Sequence, residues 1–164
     1  MEWEIKPFGK ESAFSGNPFR DGEAVNCFLV RTEEGNVARI DLHSNDTENL
    51  ADDSTILGRW TRVFESSPDK RAQTLNQQRT LEELFFSLFE VEEAVEGEDT
   101  QTLKQIVGLM LERKRILRRL PAKSTNQLTI YWHVKSKTEF EVQVIDITPK
   151  VVMNVQEQLQ VLIR

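Results

Sequence analysis

DTQTLKQIVGLMLERKRILRRL, residues 99–120, decides how the middle of this chain is read. At about 100° per residue, Leu103, Ile106, Leu109, Met110, Leu117 and Leu120 fall on one broad arc of a helix, with Arg113 inside that arc. Lys114, Arg115, Arg118 and Arg119 spread over the opposite side. The spacing predicts a helix capped by Asp99 and stopped by Pro121, which cannot continue it. An arginine in an apolar arc needs a partner, because an unpaired buried charge costs several kcal/mol. We expect Arg113 to form an internal ion pair. The alternative is an anion site for a carboxylate or phosphate, which the planar five-donor guanidinium suits.

Upstream, Thr80 reads as an N-cap with Glu83 completing a capping box, followed by an apolar stripe of Leu81, Leu84, Phe85 and Leu88. Gly97 ends that helix, so the two form a helical hairpin. Before it, Ala24–Thr32 and Val37–Leu42 are rich in strand formers around the turn Glu33-Glu34-Gly35-Asn36 and read as a β-hairpin. Trp3–Lys6 is a short strand beside it. On the return strand Ala38, Ile40 and Leu42 form the packing face, while Arg39, Asp41 and His43 face water or a partner. Ile56–Phe64 is a further strand, set between polar stretches at 44–55 and 65–78 that read as mobile loops. After the central helices, Leu128–Val134 and Phe140–Val144 alternate around the turn Lys135–Thr138 as a second hairpin with one buried face. Thr148-Pro149, an N-cap followed by proline at the first helical position, opens a closing helix with Val152, Val155, Leu159 and Leu162 inward. The expected fold is therefore α+β: N-terminal antiparallel strands, a central helical hairpin, a C-terminal β-hairpin and a closing helix, in one domain over 1–164.

Composition narrows the function. The 164 residues include nine Phe and three Trp, with 38% hydrophobic and 29% charged residues, a globular rather than a disordered balance. One cysteine, Cys27, excludes an intrachain disulfide and a Cys-rich zinc site; with only His43 and His133 to add, no metal centre is expected. Cys27 sits in an apolar strand and reads as a small buried hydrophobe. Residues 1–10 lack the apolar core of a signal peptide and no apolar run reaches about 18 residues, so the expected address is the cytoplasm, with no membrane partner. A formal charge of −6 disfavours general nucleic-acid binding, although the basic run 113–119 beside the acidic run 90–99 leaves room for a local patch.

No nucleophile motif, phosphate loop or cofactor fingerprint is present, so no cofactor and no catalytic residue are assigned. The weak catalytic candidates are Asp41 and His43, at strand spacing with Arg39, where an aspartate could orient an imidazole. An exposed strand face carrying adjacent charges is the plainer reading. His133 reads as an exposed strand residue. The binding candidates are Arg39, Arg113, Lys114, Arg115, Arg118 and Arg119.

The order Ser15-Gly16-x-x-Phe19-x-x-Gly22-Glu23, the Arg39-Ile-Asp41 strand, Trp60-x-Arg62 and Leu111-Glu112-Arg113-Lys114 resembles a poorly characterised group of small bacterial proteins over most of the chain. That group opens with Cys-x-x-Ser/Thr-Gly, and Ser12 stands here where the cysteine would be, which speaks against a thiol or metal role for the segment. The resemblance brings no activity with it. It implies that Gly16, Gly22, Arg39, Asp41, Trp60 and Arg113 matter together, in folding or in a site. The expected function is a non-catalytic interaction or scaffold module with an unidentified protein partner, itself a monomer or homodimer; the alternative is a nucleic-acid or phosphate-binding module using the basic helix face 113–119.

Overall fold

The hairpin read around Gly35 forms, and it organises the first sheet. The structure, a computed structural model, describes residues 3–6, 8–44, 46, 55–65, 69–91 and 96–163. Strands β1 (Trp3–Glu4), β2 (Ala24–Arg31), β3 (Val37–His43) and β4 (Thr55–Val63) assemble in the order β1-β3-β2-β4. β1 runs parallel to β3 and the other pairs are antiparallel. Gly35 supplies the turn with a φ of 83°, a region open to glycine at little cost. Helix α1 (Lys70–Leu88) packs on β4. A Cβ on Gly58 would lie 2.4 Å from Leu84 Cδ1, so the absence of a side chain there is what lets helix and strand approach.

By contact the chain divides into two compact units, Met1–Val95 with Gln156–Arg164, and Glu96–Val155. The second unit holds helix α2 (Glu98–Arg113) and a three-stranded antiparallel sheet of β5 (Leu117–Arg119), β6 (Leu128–His133) and β7 (Thr138–Gln143), in that order. α2 packs on β5 and β7. Helix α3 (Pro149–Ile163) opens as expected, with the Thr148 hydroxyl accepting from Val151 N–H at 3.3 Å, and it buries Val155, Leu159 and Leu162. The α+β class, with strands first, helices in the middle and a closing helix, is as the residue pattern indicates.

Several expectations are corrected. The loop placed at 65–78 is helical from Lys70, because the buried turns of Leu81–Leu88 nucleate a helix that then propagates backward through Lys, Arg, Gln and Leu, all good helix formers. Thr80 is consequently a buried interior residue and no N-cap. The expected loop at 44–55 lies, apart from 44, 46 and 55, outside the described residues. Gly97, not Asp99, is the N-cap of α2. That helix ends at Arg113 instead of Leu120, and residues 117–119 are a strand.

On β3 Ala38, Ile40 and Leu42 pack as expected, but the opposite face is covered too. Val37, Arg39 and Asp41 are buried, on the same side as Val25, Cys27 and Leu29 of β2. Phe28, Val30 and Leu42, flanked by Ala38 and Ile40, form a smaller cluster on the other side. Both faces of these strands are covered. In the second sheet, the register sets Tyr131 opposite Phe140 and Thr129 opposite Val142. Thr129, Tyr131, His133 and Val142 are buried, so His133 is no surface residue.

Candidate functional site

The polar residues picked out on β3 converge in the first unit, yet mostly on one another. Arg39 and Asp41 project from the same side of the strand, and Arg39 Nε donates to Asp41 Oδ1 at 3.0 Å. Their side chains are 1% and 7% exposed. Arg39 Nη1 donates to the Leu162 carbonyl at 3.0 Å and the Lys6 carbonyl at 3.4 Å, and the guanidinium lies 5.4 and 5.5 Å from the ring centres of Phe8 and Trp60. Asp41 Oδ2 accepts from Gly9 N–H at 3.0 Å. The group thus ties β3, the N-terminal segment and the last turn of α3 together, where a cation also suits the negative end of the helix dipole.

Cys27 lies beside the pair, its sulfur 4.0 Å from Arg39 Nη2. Burial, followed by the Asp41 charge, pushes its thiol well above the ordinary value, so it is held as an unreactive thiol. The neighbouring Arg62, stacked 4.6 Å from the Phe8 ring centre, is lowered by burial and then by the Arg39 charge.

His43 finds a different carboxylate from the one expected. Its Nδ1 is hydrogen-bonded to Glu23 Oε1, and its Nε2 lies 3.2 Å from the Asn17 carbonyl. Asp41 is committed to Arg39 and Gly9. Both ring nitrogens of His43 therefore lie against oxygen atoms of the protein. Glu23 is held below its ordinary carboxylate value, first by the Arg20 N–H at 2.9 Å and further by His43. Asp46 Oδ2 accepts from Ser12 Oγ at 2.7 Å and Ser15 Oγ at 2.8 Å, and these hydroxyls lower its pKa. The cavity beside these groups, about 620 Å³, is lined by Asn17, Phe19, Arg20, Glu23, His43 and Asp46. Glu23 was not singled out from the residue pattern. The signal for it is the register, in which Val25 pairs with His43 and so brings Glu23 diagonally across from the imidazole.

A second open groove, about 450 Å³, lies between β4 and α1 with Phe28 and Phe86 in its lining, and Arg59 and Glu90 pair across 2.8 Å at its rim. Among the described residues no group of three or more His, Cys, Asp or Glu side chains converges to hold a metal ion, and no helix is long and apolar enough to cross a membrane.

The basic candidates of the run 113–119 fall in the second unit and do not form a helix face. Arg113 is exposed at the end of α2, and Lys114 and Arg115 are exposed in the turn that follows. Arg118 and Arg119, adjacent on β5, point to opposite faces of the sheet. Arg119 Nη2 bonds Glu112 Oε2 at 3.1 Å and lies 3.5 Å from the Tyr131 hydroxyl. His133 is buried, with Nδ1 accepting from Ser136 N–H at 3.1 Å. Of the residues grouped by resemblance, Arg39, Asp41 and Trp60 meet in the first unit, and Arg113 belongs to the second. Comparison with protein-family models, with curated proteins and with solved structures gives no match.

Proposed function

We propose that this chain is a cytoplasmic protein-interaction module with no catalysis of its own. One observation carries the reading: the side chains that chemistry would call on are spent on internal bonds. Arg39 and Asp41 are buried against each other, both His43 ring nitrogens lie against protein oxygens, and burial pushes the Cys27 thiol up. What remains at the surface is contact area, including the first turns of α1, where Lys70, Arg71, Gln73, Thr74 and Leu75 are exposed. The test is a broad small-molecule turnover screen beside cross-linking in cells. The reading expects no turnover and recurrent cross-links to another polypeptide. Turnover abolished by His43→Gln, with the fold retained, overturns it.

A second reading, phosphate or nucleic-acid binding, is favoured by the exposure of Arg113, Lys114, Arg115 and Arg118 within six residues. It expects binding that weakens steeply with salt and disappears when Lys114, Arg115, Arg118 and Arg119 are reversed in charge.

A further inference from the structure

An open sheet edge presents a row of N–H and C=O groups ready to pair with another chain, so folded proteins generally close or disrupt such edges. The first sheet closes the outer side of β4 with side chains from one face of α1. Arg59 N–H donates to Ser87 Oγ at 2.9 Å, and Thr61 N–H donates to Glu83 Oε2 at 2.9 Å. The second sheet treats β7 differently. Val144 N–H donates to the Gln127 carbonyl at 2.9 Å, so residues 142 and 140 also turn toward β6, and 139, 141 and 143 turn outward. Just past the strand the outward groups of Ile145 are clamped by one side chain: Gln105 Oε1 accepts from Ile145 N–H at 2.9 Å, and Gln105 Nε2 donates to the Ile145 carbonyl at 3.4 Å. An amide so placed stands in for a neighbouring strand. The clamp stops there. Glu139, Glu141 and Gln143 are exposed, and among the described residues β7 has β6 as its one strand neighbour.

We infer that the outer edge of β7, over Glu139–Gln143, takes up an extended segment of a partner protein as a fourth strand, one in which Lys or Arg alternates with apolar residues. This rests on the reading of the chain as an interaction module and names where and what it binds. Charge selects the occupant. Glu139 and Glu141 project from the same face, Glu139 already holds Lys123 at 2.6 Å, and Phe140 lies half-buried on the opposite face. Alternating cations would meet the carboxylates, and the apolar positions between them would meet Phe140. A second copy of this chain fits poorly. Antiparallel pairing about residue 140 or 141 would set Glu139 against Glu141, or Glu141 against itself, and like charges directly opposed are destabilising.

The test uses the full chain and a capped synthetic heptapeptide alternating Lys and Val, with a peptide of the same composition in two blocks as control. Saturable binding of the alternating peptide is expected, with slowed hydrogen exchange at 139, 141 and 143. Glu141→Pro removes an outward N–H and leaves the β6–β7 ladder its bonds, so binding should weaken by about tenfold or more. Should the proline variant lose β7, the double variant Glu139→Lys/Glu141→Lys replaces it: it should reject the Lys–Val peptide and bind a Glu–Val one. Equal binding of the block peptide, no saturable binding, binding indifferent to these substitutions, or self-association through β7 each overturn the inference. If cross-links to another polypeptide persist in cells while peptide binding fails, the edge assignment alone is wrong; if both fail, the interaction reading goes with it.

Discussion

Arg39 and Asp41 show how a pair of charges can be structural and still look functional from the residue pattern. A buried ion pair adds little net stability, but removing one partner strands the other and costs about 3–5 kcal/mol. Asp41→Ala should therefore lower the unfolding free energy by about that much, read from urea denaturation. The double replacement Arg39→Met/Asp41→Leu should cost clearly less than Asp41→Ala alone. A double loss equal to the sum of the Asp41 and Arg39 single losses would show that no coupling exists. The carboxylates of Glu23 and Asp46 supply a pH dependence. Both are held below their ordinary values of 4.5 and 3.8, so their contribution is complete above those values and is lost as pH falls through the lower folded ones. Acid denaturation should steepen below about pH 4, and Glu23→Gln or Ser12→Ala should make the decline shallower. The inward turn of Arg39 was hard to read, since Ala38, Ile40 and Leu42 alternate as a buried face should. The clue lay on the neighbouring strand: Cys27-Phe28-Leu29-Val30 is an unbroken apolar run, the mark of a strand covered on both faces.

The elements themselves were legible where periodicity and turn chemistry agree, as in both β-hairpins and in the Thr148-Pro149 start of α3. Their ends were less so. The apolar arc of residues 99–120 mimics a single helix because Leu117 continues the spacing, yet the chain leaves α2 through a left-handed residue. Arg115 has a φ of 61°, its N–H donates to the Glu112 carbonyl at 3.0 Å, and Ile116 N–H donates to the Leu111 carbonyl at 3.0 Å. This is the two-bond helix exit that glycine usually supplies at that position. Without a glycine in 109–120 nothing in the spacing marks the exit, and Arg113 is exposed instead of lying in the buried arc that the spacing predicts. Replacing Arg115 by glycine should relieve the left-handed strain and raise stability by about 1 kcal/mol, measurable as a higher denaturation midpoint. A loss of stability would mean that the arginine side chain holds the turn.

At the scale of the molecule, the first compact unit takes residues from both ends of the chain. Local periodicity carries no information about which distant segments pack together. The C-terminal half of α3 earns its place in that unit through particular groups: Gln158 Oε1 accepts from Ile5 N–H at 3.0 Å, the Leu162 carbonyl holds Arg39, and Leu159 and Leu162 are fully buried. Removing residues 156–164 should therefore expose β2 and β3 to rapid hydrogen exchange, while an unchanged exchange pattern would deny the tail its structural role.

On the proposed function, this chain works through a protein partner. Native mass spectrometry of the untagged chain, taken from its own cells after brief cross-linking, tests it most directly. The expected result is the chain's mass joined to that of a second, different polypeptide. A chain carrying only a small molecule or metal ion, lost on substituting His43 or Glu23, would contradict it.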